Sequence, residues 1–191
     1  MSDPNWDDFT YDEEEVTAED AAEIESGGRP QIGLYLCQVW GSKPVQIDFK
    51  KYSTLGVELE HKIVEVIEIE KRTPTEDEIR INTGKIIEDT VPFANVAEEK
   101  WAVKRRKDIA LKIGIIVPGQ SITKEMWQKD ILGRYVIVRV VDNSYRKKDK
   151  STGEEYGSTI ESTKIGFFDG YESAADKNTV AENAKDWEEG L

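Results

Sequence analysis

The residues whose types and spacing could do chemistry are concentrated in one stretch, VVDNSYRKKDKSTGEEYGSTI, residues 140–160. Two tyrosines, Tyr145 and Tyr156, flank four cations, which are Arg146, Lys147, Lys148 and Lys150. A fifth cation, Arg139, directly precedes the stretch. Lys and Arg side chains can neutralise phosphate groups, and an exposed aromatic ring can stack on a nucleobase. A Ser-Thr-Gly sequence at the centre predicts a turn, so these side chains would surround the tip of a hairpin.

A second group of the same composition follows the first predicted strand, and its members are Lys43, Phe49, Lys50, Lys51 and Tyr52. The mixture of cations and aromatics suits a single-stranded nucleic acid, because duplex DNA hides its bases in the stack. A structural alternative stays open for each group. Lysines often solvate a hairpin tip, and tyrosines often pair across two strands without binding anything.

Charge is distributed unevenly along the 191 residues, which contain 39 acidic and 26 basic side chains and carry a net charge of -13. Residues 1–29 hold 11 acidic residues and one basic residue, and residues 172–191 hold 6 and 2. The remaining 22 acidic and 23 basic residues leave residues 30–171 almost neutral. We therefore expect an acidic N-terminal arm (1–29), a folded domain (30–171) and an acidic C-terminal tail (172–191).

The hydrophobic pattern predicts the elements that must position these groups. Strands are expected at residues 32–40, 57–70, 84–93, 133–145 and 155–168, the second with a bulge where Ile63-Val64 breaks the alternation. A helix is expected from the N-cap Asn95 to Gly114, and a shorter one from Thr123. Residues 70–82 are expected to be an acidic connection.

This order of elements predicts a mainly β fold of the α+β class with one to two helices. Five strands with a helix between the third and fourth match the five-stranded OB-fold, a Greek-key barrel, here with acidic terminal extensions. Other α+β arrangements share the same order. An OB-fold binds oligonucleotides through the loops between strands one and two and between strands four and five, which are the loops that carry the two basic aromatic groups.

Several function classes are not expected. The chain has one histidine, His61, and one cysteine, Cys37, which are too few for a zinc site. There is no glycine-rich phosphate loop and no G-x-S-x-G sequence, so we expect no enzyme, no metal and no cofactor. Membrane-spanning runs and a secretory signal are not recognised, and a lone cysteine favours an intracellular setting.

Two further segments have more than one interpretation. The C-terminal sequence AENAKDWEEGL could imitate nucleic acid and fold back onto the basic loops, or bind a partner's basic groove, through Asp186, Trp187, Glu188, Glu189 and Leu191. A disordered solubilising end is the alternative. In the long helix, residues 104–107 (KRRK) are four consecutive cations, which span every side of a helix and therefore favour a solvated surface over one binding stripe.

At the level of whole segments the chain resembles the small OB-fold single-stranded-DNA-binding proteins of bacteriophage replication and recombination modules. The resemblance rests on IGLYLCQV, LGVELEHKIVEV, GKIIEDTV, DIALKIGI and DILGRYVIVRV, and covers about residues 30–170. It implies sequence-tolerant binding of single-stranded DNA in the bacterial host cytoplasm, and an acidic tail that recruits replication or recombination proteins. The acidic arm and the 70–82 insertion depart from the family pattern. Whether the chain forms a homodimer stays open.

Two other function classes remain in competition. An acidic DNA mimic that inhibits a host DNA-processing protein should present its acids on an ordered face, whereas here they are concentrated at the ends. A β-rich phage structural protein would leave the basic aromatic loops unexplained.

Overall fold

The computed structural model of the chain describes residues 28–49, 53–93, 100–148, 152–160, 162–167 and 169–178. Two long strands, β1 (Gly33–Asp48) and β2 (Ser53–Ile69), pair antiparallel along their full length. β1 was expected to end at Trp40 but continues through a segment that contains Pro44. This proline is tolerated because β1 has only β2 as a strand neighbour beyond Val39, so one edge of the strand needs no backbone donor.

Three irregularities bend the β1–β2 pair. The predicted bulge is confirmed, since Val64 has no partner between the pairs Leu36–Glu65 and Cys37–Ile63. The extra residue changes which side chains point inward, so that Ile63 and Val66 are both buried.

The main sheet is antiparallel and has the order β3–β2–β1–β4–β7, with β8 also paired to β4, and it does not close through hydrogen bonds. A second, two-stranded sheet contains β5 and β6. The strands that follow β2 are β3 (Ile86–Pro92), β4 (Tyr135–Asp142), β5 (Tyr145–Lys148), β6 (Glu155–Ile160), β7 (Thr163–Ile165) and β8 (Tyr171–Ser173). The expected mainly β fold with few helices is confirmed, but the described residues form eight strands where five were predicted.

Two of the three additional strands arise because both predicted C-terminal strands are interrupted, and the third, β8, lies beyond the last predicted strand. Asp142 accepts a hydrogen bond of 2.8 Å from the backbone N–H of Ser144, a local turn that competes with the ladder. Backbone contact resumes when the N–H of Asn143 donates to Ser162. β4 to β7 therefore form one long hairpin whose outer part, β5–β6, is a separate sheet.

Three helical segments of the described residues lie against the sheet, and residues 175–178 are helical as well. α1 (Glu76–Asn82) lies where an unstructured connection was expected, and a capping box between Thr75 and Glu78 begins it. α2 (Lys100–Ile113) ends as predicted at Gly114, whose φ of 81° favours glycine. The shorter helix near Thr123 includes a π-helical turn, Met126–Asp130. No helix in these described ranges is long and apolar enough to cross a membrane.

The core lies between the inner face of the sheet and α2 together with the π-helical turn. Its largest fully buried side chains include Trp127, Tyr35, Leu59 and Ile63. Residues beyond the predicted domain end at 171 also belong to this body. Asn178 is buried. Its side chain accepts a hydrogen bond from the backbone N–H of Tyr135 and donates one to the backbone carbonyl of Tyr135.

Candidate nucleic-acid interface

The outer hairpin, β5–β6, presents the basic aromatic sequence to solvent. All residues of β5 are exposed, as are those of β6 up to Thr159. The Tyr145 and Tyr156 side chains are 53% and 54% exposed. A tyrosine that packs in a core is mostly covered, so these two rings are accessible to a ligand.

The register of this hairpin decides how its side chains face one another. Tyr145 lies opposite Ile160, and Lys147 lies opposite Tyr156, so the two tyrosines do not form a cross-strand pair with each other. A bulge lies between these pairs, where Gly157 has a φ of 77°. Bulges increase the local twist of a hairpin, which turns successive side chains in different directions.

The cations of the hairpin are only weakly engaged by the protein. Arg146 Nε donates to the Thr159 hydroxyl at 3.3 Å, and Lys148 Nζ lies 3.3 Å from a Glu155 carboxylate. Both members of that ion pair are at least half exposed, and exposed pairs contribute little to stability. Within the part of the chain that the structure describes, no carboxylate lies within 4.0 Å of the Lys147 ammonium. Exchanging these contacts for phosphate would therefore cost little.

Lys43 was predicted to lie in the loop after the first strand, but it lies on β1 opposite Glu58. Its ammonium lies 2.6 Å from Glu58 and 3.4 Å from Glu60. The hydrogen bond to Glu58, followed by that to Glu60, raises the pKa of Lys43. Together with Glu88 these carboxylates form an acidic cluster on the outer face of β2 and β3, with ligand oxygens within 4.8 Å of one another. Lys43 already binds two of the three, which makes it a poor phosphate contact.

Two other predicted residues are also held by the protein. Arg139 lies on β4 and binds Glu172 at 3.0 Å, with Asp169 at 4.0 Å. The ring of Phe49 packs edge-on against Trp101 of α2 at 5.9 Å between centroids. The remaining predicted site residues lie outside the described ranges, and they are Lys50, Lys51, Tyr52, Lys150, Asp186, Trp187, Glu188, Glu189 and Leu191.

Sequence reasoning missed one aromatic–cation pair on the outer face of the main sheet. Trp40 is the unpaired residue of a bulge between the pairs Val39–His61 and Gly41–Glu60, and it is 57% exposed. The Lys62 ammonium lies 4.4 Å from the centre of its indole ring. The sequence assigned Trp40 to the end of the first strand, where alternation with the buried Val39 turns it outward.

A buried polar network joins the two sides of the sheet that the backbone leaves unpaired. The Arg105 guanidinium of α2 contacts both Asp89 carboxylate oxygens, at 2.9 and 2.7 Å, and also donates to the Phe167 carbonyl. Tyr171 donates its only hydroxyl proton to Asp89 at 2.7 Å, so His61 Nε2 must donate to the Tyr171 oxygen at 2.9 Å. Burial raises the pKa of Asp89, and the Arg105 charge opposes that rise.

His61 is buried, and its environment fixes its charge. Burial lowers its pKa from 6.5 to about 3, so the imidazole is neutral at physiological pH. Its Nδ1 atom has no hydrogen-bond partner among the described residues. The network therefore joins β3, β8 and α2. It is buried and structural, in contrast to the exposed hairpin.

Comparison with protein-family models and with curated proteins finds no match to this chain.

Proposed function

We propose that this chain is a single-stranded nucleic-acid-binding protein with little sequence preference. The observation that carries the proposal is the β5–β6 hairpin, which presents two exposed tyrosines together with exposed Arg146, Lys147 and Lys148. Exposed rings can stack on bases for about 1–3 kcal/mol each, and the cations can replace counterions along a phosphate backbone.

The strand arrangement supports this proposal through its agreement with an OB-fold. β1, β2 and β3 form a meander, a helix separates β3 from β4, and β4 returns to pair with β1. β7 would then be the fifth strand, and it lies beside β3 without a ladder, as in a partly open barrel. In this arrangement the β5–β6 hairpin extends the loop between strands four and five, one of the loops that bind oligonucleotides in OB-folds.

The biological setting is part of the proposal and rests on the resemblance to phage proteins. In that setting the protein coats and protects single-stranded DNA during replication or recombination in the cytoplasm of a bacterial host. The acidic C-terminal residues would recruit a replication or recombination protein.

A second candidate function has one observation in its favour. Glu58, Glu60 and Glu88 form an ordered acidic cluster on the outer face of β2 and β3, as a DNA mimic would require. We favour nucleic-acid binding because Lys43 neutralises part of this cluster, whereas the cations of the hairpin remain accessible.

Fluorescence anisotropy with a labelled thymidine oligonucleotide tests the proposal directly. We expect tight binding of the single strand, and much weaker binding of a duplex of the same length, because a duplex offers no exposed bases to the tyrosines. Equal affinity for both forms, or no binding at low salt, would refute the proposal. A uridine oligonucleotide in the same assay separates DNA from RNA preference.

A further inference from the structure

The basic residues of α2 differ in how far the fold covers them. Arg105 is buried and paired with Asp89, and Arg106 is half-buried, with its guanidinium 5.6 Å from the Phe93 ring. Three lysines are exposed instead, and we call them the lysine face: Lys100, Lys104 and Lys107. The four consecutive cations at 104–107 therefore do not form one stripe, as the sequence argument holds, whereas Lys100 extends the two exposed lysines of that run into a different row.

The lysine face has the geometry of a linear contact surface. Its members are spaced i, i+4 and i+7, so they lie on one side of the helix and span about 10 Å along its axis at 1.5 Å per residue. Within the described part of the chain, no carboxylate lies within 4.0 Å of these ammonium groups. Asp108, which is half-buried, is the single acidic residue of α2. Glu98 and Glu99 precede the helix outside the described ranges.

Aromatic side chains pack against one another at the start of α2. Trp101 follows Lys100 in the helix, and its ring centroid lies 5.9 Å from that of Phe49 and 5.6 Å from that of Phe167. Phe167 is 43% exposed. The Phe49 contact places the residue that follows β1 beside α2. The combination of accessible cations and aromatic rings thus occurs a second time, on a different element from the β5–β6 hairpin.

We propose that the lysine face of α2 is a second contact surface for the nucleic-acid backbone. This inference rests on the proposed function. It adds a nucleic-acid contact surface outside the two barrel loops. A row of three point charges fits the phosphates of an extended polyanion. Among the described residues near α2, the exposed large apolar side chains are Leu111 and Phe167, which do not make the broad apolar face that inserts into a lipid interface.

The test compares two triple variants that remove the same charge. One replaces Lys100, Lys104 and Lys107 with Gln, and the control replaces Lys71, Lys124 and Lys164, which are exposed elsewhere. Gln is a good helix former, so α2 should persist, and circular dichroism checks this. A third variant, with Gln at Arg146, Lys147 and Lys148, reports on the hairpin.

We expect the lysine-face variant to bind a long thymidine oligonucleotide about tenfold or more weakly, and its log–log salt slope to fall by about 2, at roughly 0.7 per lost phosphate contact. The control should stay within about threefold of wild type, as expected for charge lost outside the contact surface. If the hairpin variant weakens binding while the lysine-face variant matches the control, this inference is wrong and the proposed function stands.

Two other outcomes would also overturn the inference. No binding by the wild-type protein would refute the proposed function and this surface together. Binding of the wild type to phosphatidylserine vesicles, lost in the lysine-face variant while affinity for DNA is unchanged, would assign the surface to a membrane instead.

Discussion

The Asp89 carboxylate on β3 accepts a hydrogen bond of 2.7 Å from the Tyr171 hydroxyl on β8. These two strands are not paired in the sheet of the described residues. A side-chain hydrogen bond therefore connects them where backbone hydrogen bonds connect the other strands. Arg105 binds the same carboxylate from α2, and His61 donates to the same hydroxyl from β2. One carboxylate thus connects a helix and three strands.

Tyr171→Phe tests this connection, because it keeps the ring and removes only the hydroxyl. We expect the free energy of unfolding to fall by about 1–3 kcal/mol, since an Asp89 oxygen and the His61 N–H lose a partner inside the protein. Urea unfolding measures the change. Tyr145→Phe is the control, and as an exposed substitution it should shift stability by less than about 0.5 kcal/mol. Equal stability of the two variants would contradict the role of the network.

His61 predicts a specific pH dependence of stability. Its pKa is about 3 in the folded protein and 6.5 ordinarily, so its contribution to stability is present above pH 6.5 and is lost as the pH falls toward 3. The free energy of unfolding should fall by up to about 1.4 kcal/mol per pH unit in this window. His61→Gln keeps an N–H donor but does not titrate. Urea unfolding at several pH values should therefore show a steeper fall for wild type than for the variant, and parallel curves would contradict the prediction.

The exposed tyrosines predict a loss of affinity without a loss of folding. Tyr145→Ala or Tyr156→Ala should weaken binding of single-stranded DNA by about 1–3 kcal/mol, because each removes one stacking surface. Tyr52→Ala should do the same from the β1–β2 connection. Anisotropy titrations measure the effect, and Tyr145→Phe, which retains the ring, should bind nearly as wild type. If the alanine variants bound as tightly as wild type, the rings would be hairpin packing only.

Salt dependence distinguishes an accessible lysine from one that is already paired. We expect the log–log slope of affinity against salt to lie between about -2 and -5, and Lys147→Gln to reduce its magnitude by about 0.7. Lys43→Gln should leave the slope unchanged, because Glu58 and Glu60 hold that ammonium. A slope that changes with Lys43 and not with Lys147 would place the phosphate contacts on the β1–β2 pair instead of the hairpin.

The acidic C-terminal residues are predicted to compete with DNA for the basic hairpin. Asn178 is part of the folded body, so the informative truncation removes residues 181–191 and leaves that side chain in place. The truncated protein should bind DNA more tightly at low salt, with the gain shrinking as screening increases. Unchanged or weaker affinity at low salt would show that these residues do not shield the hairpin. Replacing Trp187 with Ala in the full chain separates the aromatic contribution from the charge.

Local sequence patterns predicted the structural features that depend on neighbouring residues. The alternation around His61 and its break at Val64 indicated a bulged strand, which the structure contains. Gly114 marked the end of α2. The capping box that begins α1 is also present in the sequence, since Thr75 and Glu78 have the required spacing. The proline and the acidic residues of that segment nevertheless favoured an unstructured connection.

The sequence by itself predicted the exposed basic hairpin, because its turn residues and its charged, polar strands are local signals. Tertiary structure alone decided which cations remain accessible. Lys43 and Lys147 look alike in the sequence, yet the register of β1 with β2 places Glu58 opposite the first. Arg105 and Lys104 are neighbours, yet helical geometry turns one toward Asp89 and the other toward solvent. Charge is a property of a residue, but its availability depends on what the fold brings within a few ångströms of it.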